Sequence, residues 1–188
     1  MTRIIAGEHG GRRLATPTGD RTRPTSDRVR EALFGALVAS GDLTDLAFLD
    51  LYAGSGAVGL EAASRGATPV LLIESHQPTA RIIKRNIATL RVDDRVEVVA
   101  ATLPQAVKRA APRRFDVVYI DPPYDLPQRE LTEVLTALVT GDWLAEDADV
   151  IVERSSRSDE PDWPNGLATV RSRRYGESTL WYGRALWT

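Results

Sequence analysis

The chain has 188 residues and a mass of 20.6 kDa, the length of about one domain on a prior of roughly 100–200 residues per domain. Hydrophobic residues at 43% and charged residues at 27% exclude wholesale disorder, and the absence of cysteine excludes a disulfide framework or a thiolate zinc site. The two histidines, His9 and His76, are far apart, so no metal is expected; no apolar run approaches the ~18–20 residues of a spanning helix and no signal-peptide core opens the chain. A soluble cytoplasmic protein with no membrane partner is the expectation.

The net charge is −2, which argues against a protein that coats nucleic acid indiscriminately. Its distribution is uneven. Residues 1–30 hold seven arginines against Glu8, Asp20 and Asp27, a net of +4, so the other 158 residues carry −6. A basic segment on an acidic body suggests a local anionic partner.

In chain order, the first 25 residues are rich in Gly, Thr, Pro and Arg. Gly10-Gly11 is a turn signal between Ile4-Ile5 and Arg12-Arg13-Leu14, and this stretch reads as a small hairpin or arm lying outside the core. Pro24 precedes a helix over 26–38, with Val29, Leu33, Phe34 and Leu37 on one face and Arg28, Arg30 and Glu31 left to solvent; Gly41 closes it. From Ala47 onward, apolar runs at 47–52, 70–74, 96–100, 115–121 and 150–153 predict strands. They alternate with helices near 57–65, 79–90, 103–110 and 128–139, a rhythm that means βαβ crossovers and a buried parallel sheet. After Arg154 the rhythm breaks at Pro161, Pro164, Asn165 and Gly166. The segments 169–175 and 179–187, around Gly176, then read as an antiparallel hairpin at the sheet edge. The organisation expected is an arm and helix over 1–42 and an α/β domain over 43–188.

Asp50-Leu-Tyr-Ala-Gly54-Ser55-Gly56-Ala-Val-Gly59 stands at a strand-to-helix junction, where glycines let backbone approach a ligand and helix amides face it. Gly54, Gly56 and Gly59 fit G-x-G-x-x-G, and Glu74 follows twenty residues after Gly54 at the end of the next strand, with two oxygens suited to the hydroxyls of an adenosine ribose. Tight βα turns also use glycine with no ligand at all. Asp50 separates the cofactors that share this geometry. A pyrophosphate would be repelled by it, whereas S-adenosylmethionine carries a cationic amino group and a sulfonium. The plain alternative is an acid that caps the adjacent loop backbone.

The sharpest signal is Asp121-Pro122-Pro123-Tyr124 at the end of a buried strand, a tetrapeptide that average residue frequencies produce by chance in roughly one protein in a thousand of this length. An exocyclic amino group on a nucleobase is a poor nucleophile because its lone pair is delocalised into the ring. Two acceptors aimed at its N–H bonds, the Asp121 carboxylate and the Pro122 carbonyl, could turn that lone pair toward an electrophile. Tyr124 offers a flat face for an unstacked base. The alternative is a rigid strand exit with a surface tyrosine.

With both motifs in place, the sequence resembles the adenosylmethionine-dependent amino-methyltransferases bearing (D/N)-P-P-(Y/F), and among them the bacterial 16S ribosomal RNA guanine-N2 methyltransferases of the small subunit. Carrying the likeness are Arg3-Ile-Ile-Ala-Gly7, Gly11-Arg12-Arg13-Leu14, Arg23 through Phe34, Leu49 through Gly56, Asn86 with Leu90, and Asp121–Tyr124. The resemblance implies a Rossmann-like, seven-stranded, mainly parallel sheet with helices on both faces and a reversed last strand. It implies cofactor contacts from Asp50, Tyr52, Gly54, Ser55, Gly56, Glu74, Ser75, Thr102 and Leu103, and from Phe34 closing over the ligand, with core packing the alternative for Phe34. Asp121, Pro122, Pro123 and Tyr124 would hold the target base. The run Ala100-Ala101-Thr102 departs from the acid or amide that such enzymes often place there, and His76 stands where an acid is common. Arg12, Arg13, Arg21 and Arg23 are expected to contact RNA phosphates, the partner being 16S rRNA in the small subunit or an assembly intermediate and the enzyme a monomer. The competing readings are an adenine-N6 DNA methyltransferase, a nicotinamide-dependent oxidoreductase and an RNA-binding module with a decayed active site.

Overall fold

The computed structural model describes residues 2–17 and 26–186. The chain divides into two compact units, residues 1–100 and 101–188. Arg21, Arg23 and the end of the last predicted strand at Trp187 lie outside the described residues.

In the first unit, β1 (Thr2–Arg3) and β2 (Arg13–Leu14) pair antiparallel, followed by α1 (Asp27–Ser40), β3 (Phe48–Leu51), α2 (Ala57–Ser64), β4 (Val70–Glu74), α3 (Gln77–Leu90) and β5 (Val96–Ala100). Strand β4 runs parallel between β3 and β5, with Asp50 opposite Leu72 and Glu74 opposite Ala100. Helix α1 starts where Ser26 Oγ accepts the Val29 N–H at 3.3 Å and ends at Gly41, which has no side chain to strain its extended backbone. Helix α2 is buried at every position. Its small residues allow the close approach, since a Cβ on Gly59 would stand 2.9 Å from Leu72 Cδ2.

Two expectations about this unit are corrected. Ile4 and Leu14 of the hairpin are buried, so the arm's apolar residues belong to the core. Arg30, expected in solvent, is completely buried; its Nη2 donates to Asp27 Oδ1 at 2.7 Å and to the Arg3 carbonyl at 2.8 Å. Arg30 is followed at helical spacing by Leu33, Phe34 and Leu37, so it shares their inward stripe.

The second unit holds β6 (Phe115–Ile120), α4 (Gln128–Thr140), β7 (Leu144–Ser155), β8 (Leu167–Tyr175) and β9 (Ser178–Ala185). Strands β6 and β7 are parallel across α4, whose Leu131, Val134, Leu135 and Leu138 form its buried stripe. Strand β9 runs antiparallel to both β7 and β8, and β8 is the edge. Seven strands thus form one mixed, mainly parallel sheet, with β5, β4 and β3 in the first unit and β6, β7, β9 and β8 in the second. The reversed last strand is as expected.

The helix predicted over 103–110 is absent; the segment is a run of turns. Pro104 contributes no N–H, and the Trp143 indole draws the Val107 and Arg109 carbonyls to itself at 3.0 Å each. Strand β7 is much longer than the apolar run 150–153. Its outer half, with Glu146 and Asp147 exposed, carries no apolar signature, and the pairing with β6 shifts between Phe115 and Val117. Asp147 takes a positive φ of 56° there.

Candidate active site

The glycine loop follows β3 directly. Asp50 points inward, only 1% exposed, and its Oδ2 accepts the Gly59 N–H at 2.9 Å. The carboxylate therefore ties the strand end to the first turn of α2, the capping role that stood as its plain alternative. Burial pushes its pKa up to about 7, with the neighbouring Glu74 charge adding to the rise and the Gly59 N–H opposing it.

The three glycines do different work. Gly54 (φ +54°) has open space where a Cβ would stand, so here backbone is bare to an incoming group. Gly56 (φ +78°) and Gly59 face inward, against Leu72 with Ile83 and against Leu72 with Asp50 Oδ2 respectively. Gly54 alone of the three has open space at its Cβ position; at the other two the missing Cβ lets the helix close on the sheet.

Glu74, at the end of β4, accepts the Gly54 N–H on Oε2 and the His76 N–H on Oε1, both at 2.8 Å. Each carboxylate oxygen has two lone-pair directions, so both can accept a further bond. Tyr52, Gly54 and Ser55 are half-buried and Ser75 exposed, around the same strand ends; Tyr52 has φ +61°. His76 caps α3 and its Nδ1 bonds the Thr79 hydroxyl at 2.8 Å. Phe34 is not at this loop's surface: it is fully buried, stacked on Phe48 with centroids 6.3 Å apart and lying beneath the Arg65 guanidinium.

Three residues hold this loop and the arm together without having been singled out for it. Asn86 Oδ1 accepts the Ala15 N–H at 2.8 Å, while its Nδ2 donates to the carbonyls of Ala15 and Ser55 at 2.9 and 3.2 Å. The buried Glu61 accepts the N–H groups of Ile5 and Ala6 at 2.7 and 3.0 Å, and Arg65 Nε at 2.8 Å. Ser64 Oγ donates to the Ala6 carbonyl at 2.6 Å and accepts the His9 N–H at 2.9 Å. Gly7 (φ +81°) fits this junction because any Cβ would lie 1.9 Å from the Ser64 carbonyl oxygen. The signals were there to find: Asn86 lies on the inward stripe of α3 beside Ile83, Ile87 and Leu90, and Glu61 is the lone charge in a small apolar helix. Arg12 and Arg13 are both exposed on the docked arm.

In the second unit, Thr102 (exposed) and Leu103 (half-buried) lie in the turn after β5. The Asp-Pro-Pro-Tyr segment leaves β6 with Asp121 half-buried, Pro122 buried, Pro123 exposed and Tyr124 56% exposed, its ring open to contact. The turn is closed by the Leu126 N–H donating to the Pro123 carbonyl at 3.0 Å, and Arg154 Nη2 on β7 donates to the Leu126 carbonyl at 3.0 Å. The result is a turn braced from β7, with the Tyr124 ring open at its surface.

Known proteins share this chain's sequence and fold. The family model described as "Conserved hypothetical protein 95" matches residues 2–184. Ribosomal RNA small subunit methyltransferase D of Escherichia coli is 34% identical over 175 residues, covering 93% of this chain and 85% of that protein. Its namesake from Haemophilus influenzae is 35% identical over 161 residues, covering 85% and 80%. Among solved structures, the E. coli protein yhhF, described as a methyltransferase, superposes with a TM-score of 0.87 at 32% identity, covering 98% of this chain and 97% of its own. The chain belongs to the conserved hypothetical protein 95 family, the family of the small-subunit ribosomal RNA methyltransferases D.

Proposed function

We propose that the protein transfers the methyl group of S-adenosylmethionine to the exocyclic N2 amino group of one guanine in the 16S RNA of the small ribosomal subunit. The observation that carries this reading is the braced turn of Asp121 to Tyr124. It is supported by the family membership and by the named activity of the E. coli relative.

The residues of the glycine loop suit the cofactor. Gly54 leaves its backbone bare, Glu74 has acceptor capacity left for two ribose hydroxyls, and Asp50 fixes the loop against α2 through the Gly59 N–H. Tyr52, Ser55, Gly56, Ser75, Thr102 and Leu103 complete the proposed contacts. Bound S-adenosylmethionine supplies a methyl group already activated on a sulfonium. What remains for the protein is placement and exclusion of water. Asp121 and the Pro122 carbonyl each accept one N–H of the guanine amino group, which holds the nitrogen lone pair outward. Tyr124 receives the face of the flipped base. Arg12 and Arg13, with Arg21 and Arg23, contact RNA phosphates and position the substrate without reading its sequence.

The test is methyl transfer in vitro from labelled S-adenosylmethionine to unmodified small subunits, with the product nucleoside identified. N2-methylguanosine is expected. Asp121→Ala should cut the rate at least ~10²-fold with cofactor affinity little changed, the scale of losing one positioned catalytic group. Near-normal turnover in that variant would remove Asp121 from the reaction.

A further inference from the structure

Glu153 on β7 is a buried acid, 4% exposed, that the reaction as described does not use. Its Oε2 accepts a hydrogen bond from the Tyr119 hydroxyl, and among the described residues no cation pairs with it. The adjacent Arg154 sends its Nη2 to the Leu126 carbonyl instead. A buried carboxylate without a counter-ion is costly, and such groups concentrate where chemistry uses them.

Its place in the sheet says which chemistry. In the parallel pair β6–β7, Tyr119 stands opposite Ile151 and Ile120 opposite Val152. One more step brings Asp121 beside Glu153, on strands about 4.8 Å apart. The Tyr119–Glu153 bond shows that these two side chains share a sheet face, and alternation carries Asp121 to that face as well. Continued one step past the end of β6, that register and alternation put both carboxylates on one face at the carboxyl edge of the sheet, where the proposed base would meet the turn.

Guanine offers two kinds of donor on neighbouring atoms of one edge, the N1–H and the N2 amino group, whereas adenine has a bare acceptor at N1. We propose that Glu153 is a specificity-determining residue: its Oε1 accepts the guanine N1–H while Asp121 takes the amino group. Tyr119, bonded to Oε2, is the positioning residue that fixes the carboxylate's orientation. This rests on the proposed action at guanine N2, and it accounts for the choice of guanine among bases that carry an amino group.

The experiment uses small subunits reconstituted on 16S RNA with either guanine or 2-aminopurine at the methylated position. 2-Aminopurine keeps the amino group and has no N1 proton. Wild-type protein should strongly prefer guanine. Glu153→Gln, whose amide can donate to a bare N1, should lose ~10-fold or more on guanine, and its ratio of 2-aminopurine to guanine turnover should rise ~10-fold or more, the scale of one base-edge contact. Tyr119→Phe removes one hydroxyl; it should narrow the preference several-fold with thermal unfolding close to wild type. An unchanged base ratio in both variants, or an equal loss on both bases, would overturn the assignment. Failure of wild-type protein to produce N2-methylguanosine in the guanine arm would overturn the reading beneath it as well, which keeps the two failures apart.

Discussion

Asp50 and Glu74 show how much a single acid can do at a strand end. Asp50, near the end of β3, spends an oxygen on an amide in the first turn of α2, and Glu74, ending β4, spends both of its oxygens on loop amides, so the loop is built before any ligand arrives. For Asp50 this has a measurable consequence. Its folded pKa of about 7 lies above the ordinary 3.8, so between pH 4 and 7 the unfolded chain has released a proton that the folded protein keeps. Stability contributed by this group therefore falls as pH rises through that window, by roughly 4 kcal/mol at about 1.4 kcal/mol per unit, and levels off above pH 7. Asp50→Asn keeps an acceptor for Gly59 and removes the titration. Urea unfolding from pH 4 to 8 should show wild type losing stability relative to Asp50→Asn up to pH 7; a difference that does not move with pH would put the carboxyl in ordinary solvent.

At the scale of elements, α2 is the anchor of the first unit. Glu61 and Ser64 on this fully buried helix hold the arm through its backbone, and the buried Arg30 stands 4.0 Å from Glu61. Removing one partner of a buried charge cluster leaves the others uncompensated, so Glu61→Gln should cost about 3–5 kcal/mol in urea unfolding. A loss within experimental error would make the arm an appendage. Legibility from sequence divides along the same lines. Strands β4 and β5 were readable to the residue, β4 as an apolar run ending on Glu74 and β5 as a valine-rich run broken only by Glu97, and α1 and α4 to within a residue or two because their stripes keep helical spacing. The turns at 103–110 and the outer half of β7 were not, since each is settled by a partner distant in sequence: the Trp143 indole in one case, the pairing with β6 in the other. At the site, the motif residues were legible, but the polar groups bracing them were not. Arg30 looks like an ordinary surface residue until the fold puts it inside, whereas Glu61, Asn86 and Glu153 carry a weak signal, each lying in an apolar helix, stripe or run, with nothing local to say what each would hold.

For the molecule as a whole, the basic arm is a built part of the first unit and displays Arg12 and Arg13 on an otherwise acidic chain. If these side chains neutralise phosphates, Arg12→Gln with Arg13→Gln should weaken binding to small subunits and lower the salt slope by about two, roughly one per lost contact. An unchanged slope would assign both to plain solvated surface. The central claim is action on the amino group of a small-subunit guanine, and the most direct measurement is mass spectrometry of 16S RNA nucleosides from cells with and without the protein. The account predicts that one N2-methylguanosine disappears in its absence and returns with wild-type protein but not with Asp121→Ala; an unchanged nucleoside profile, or the loss of a different methylated base, would contradict it.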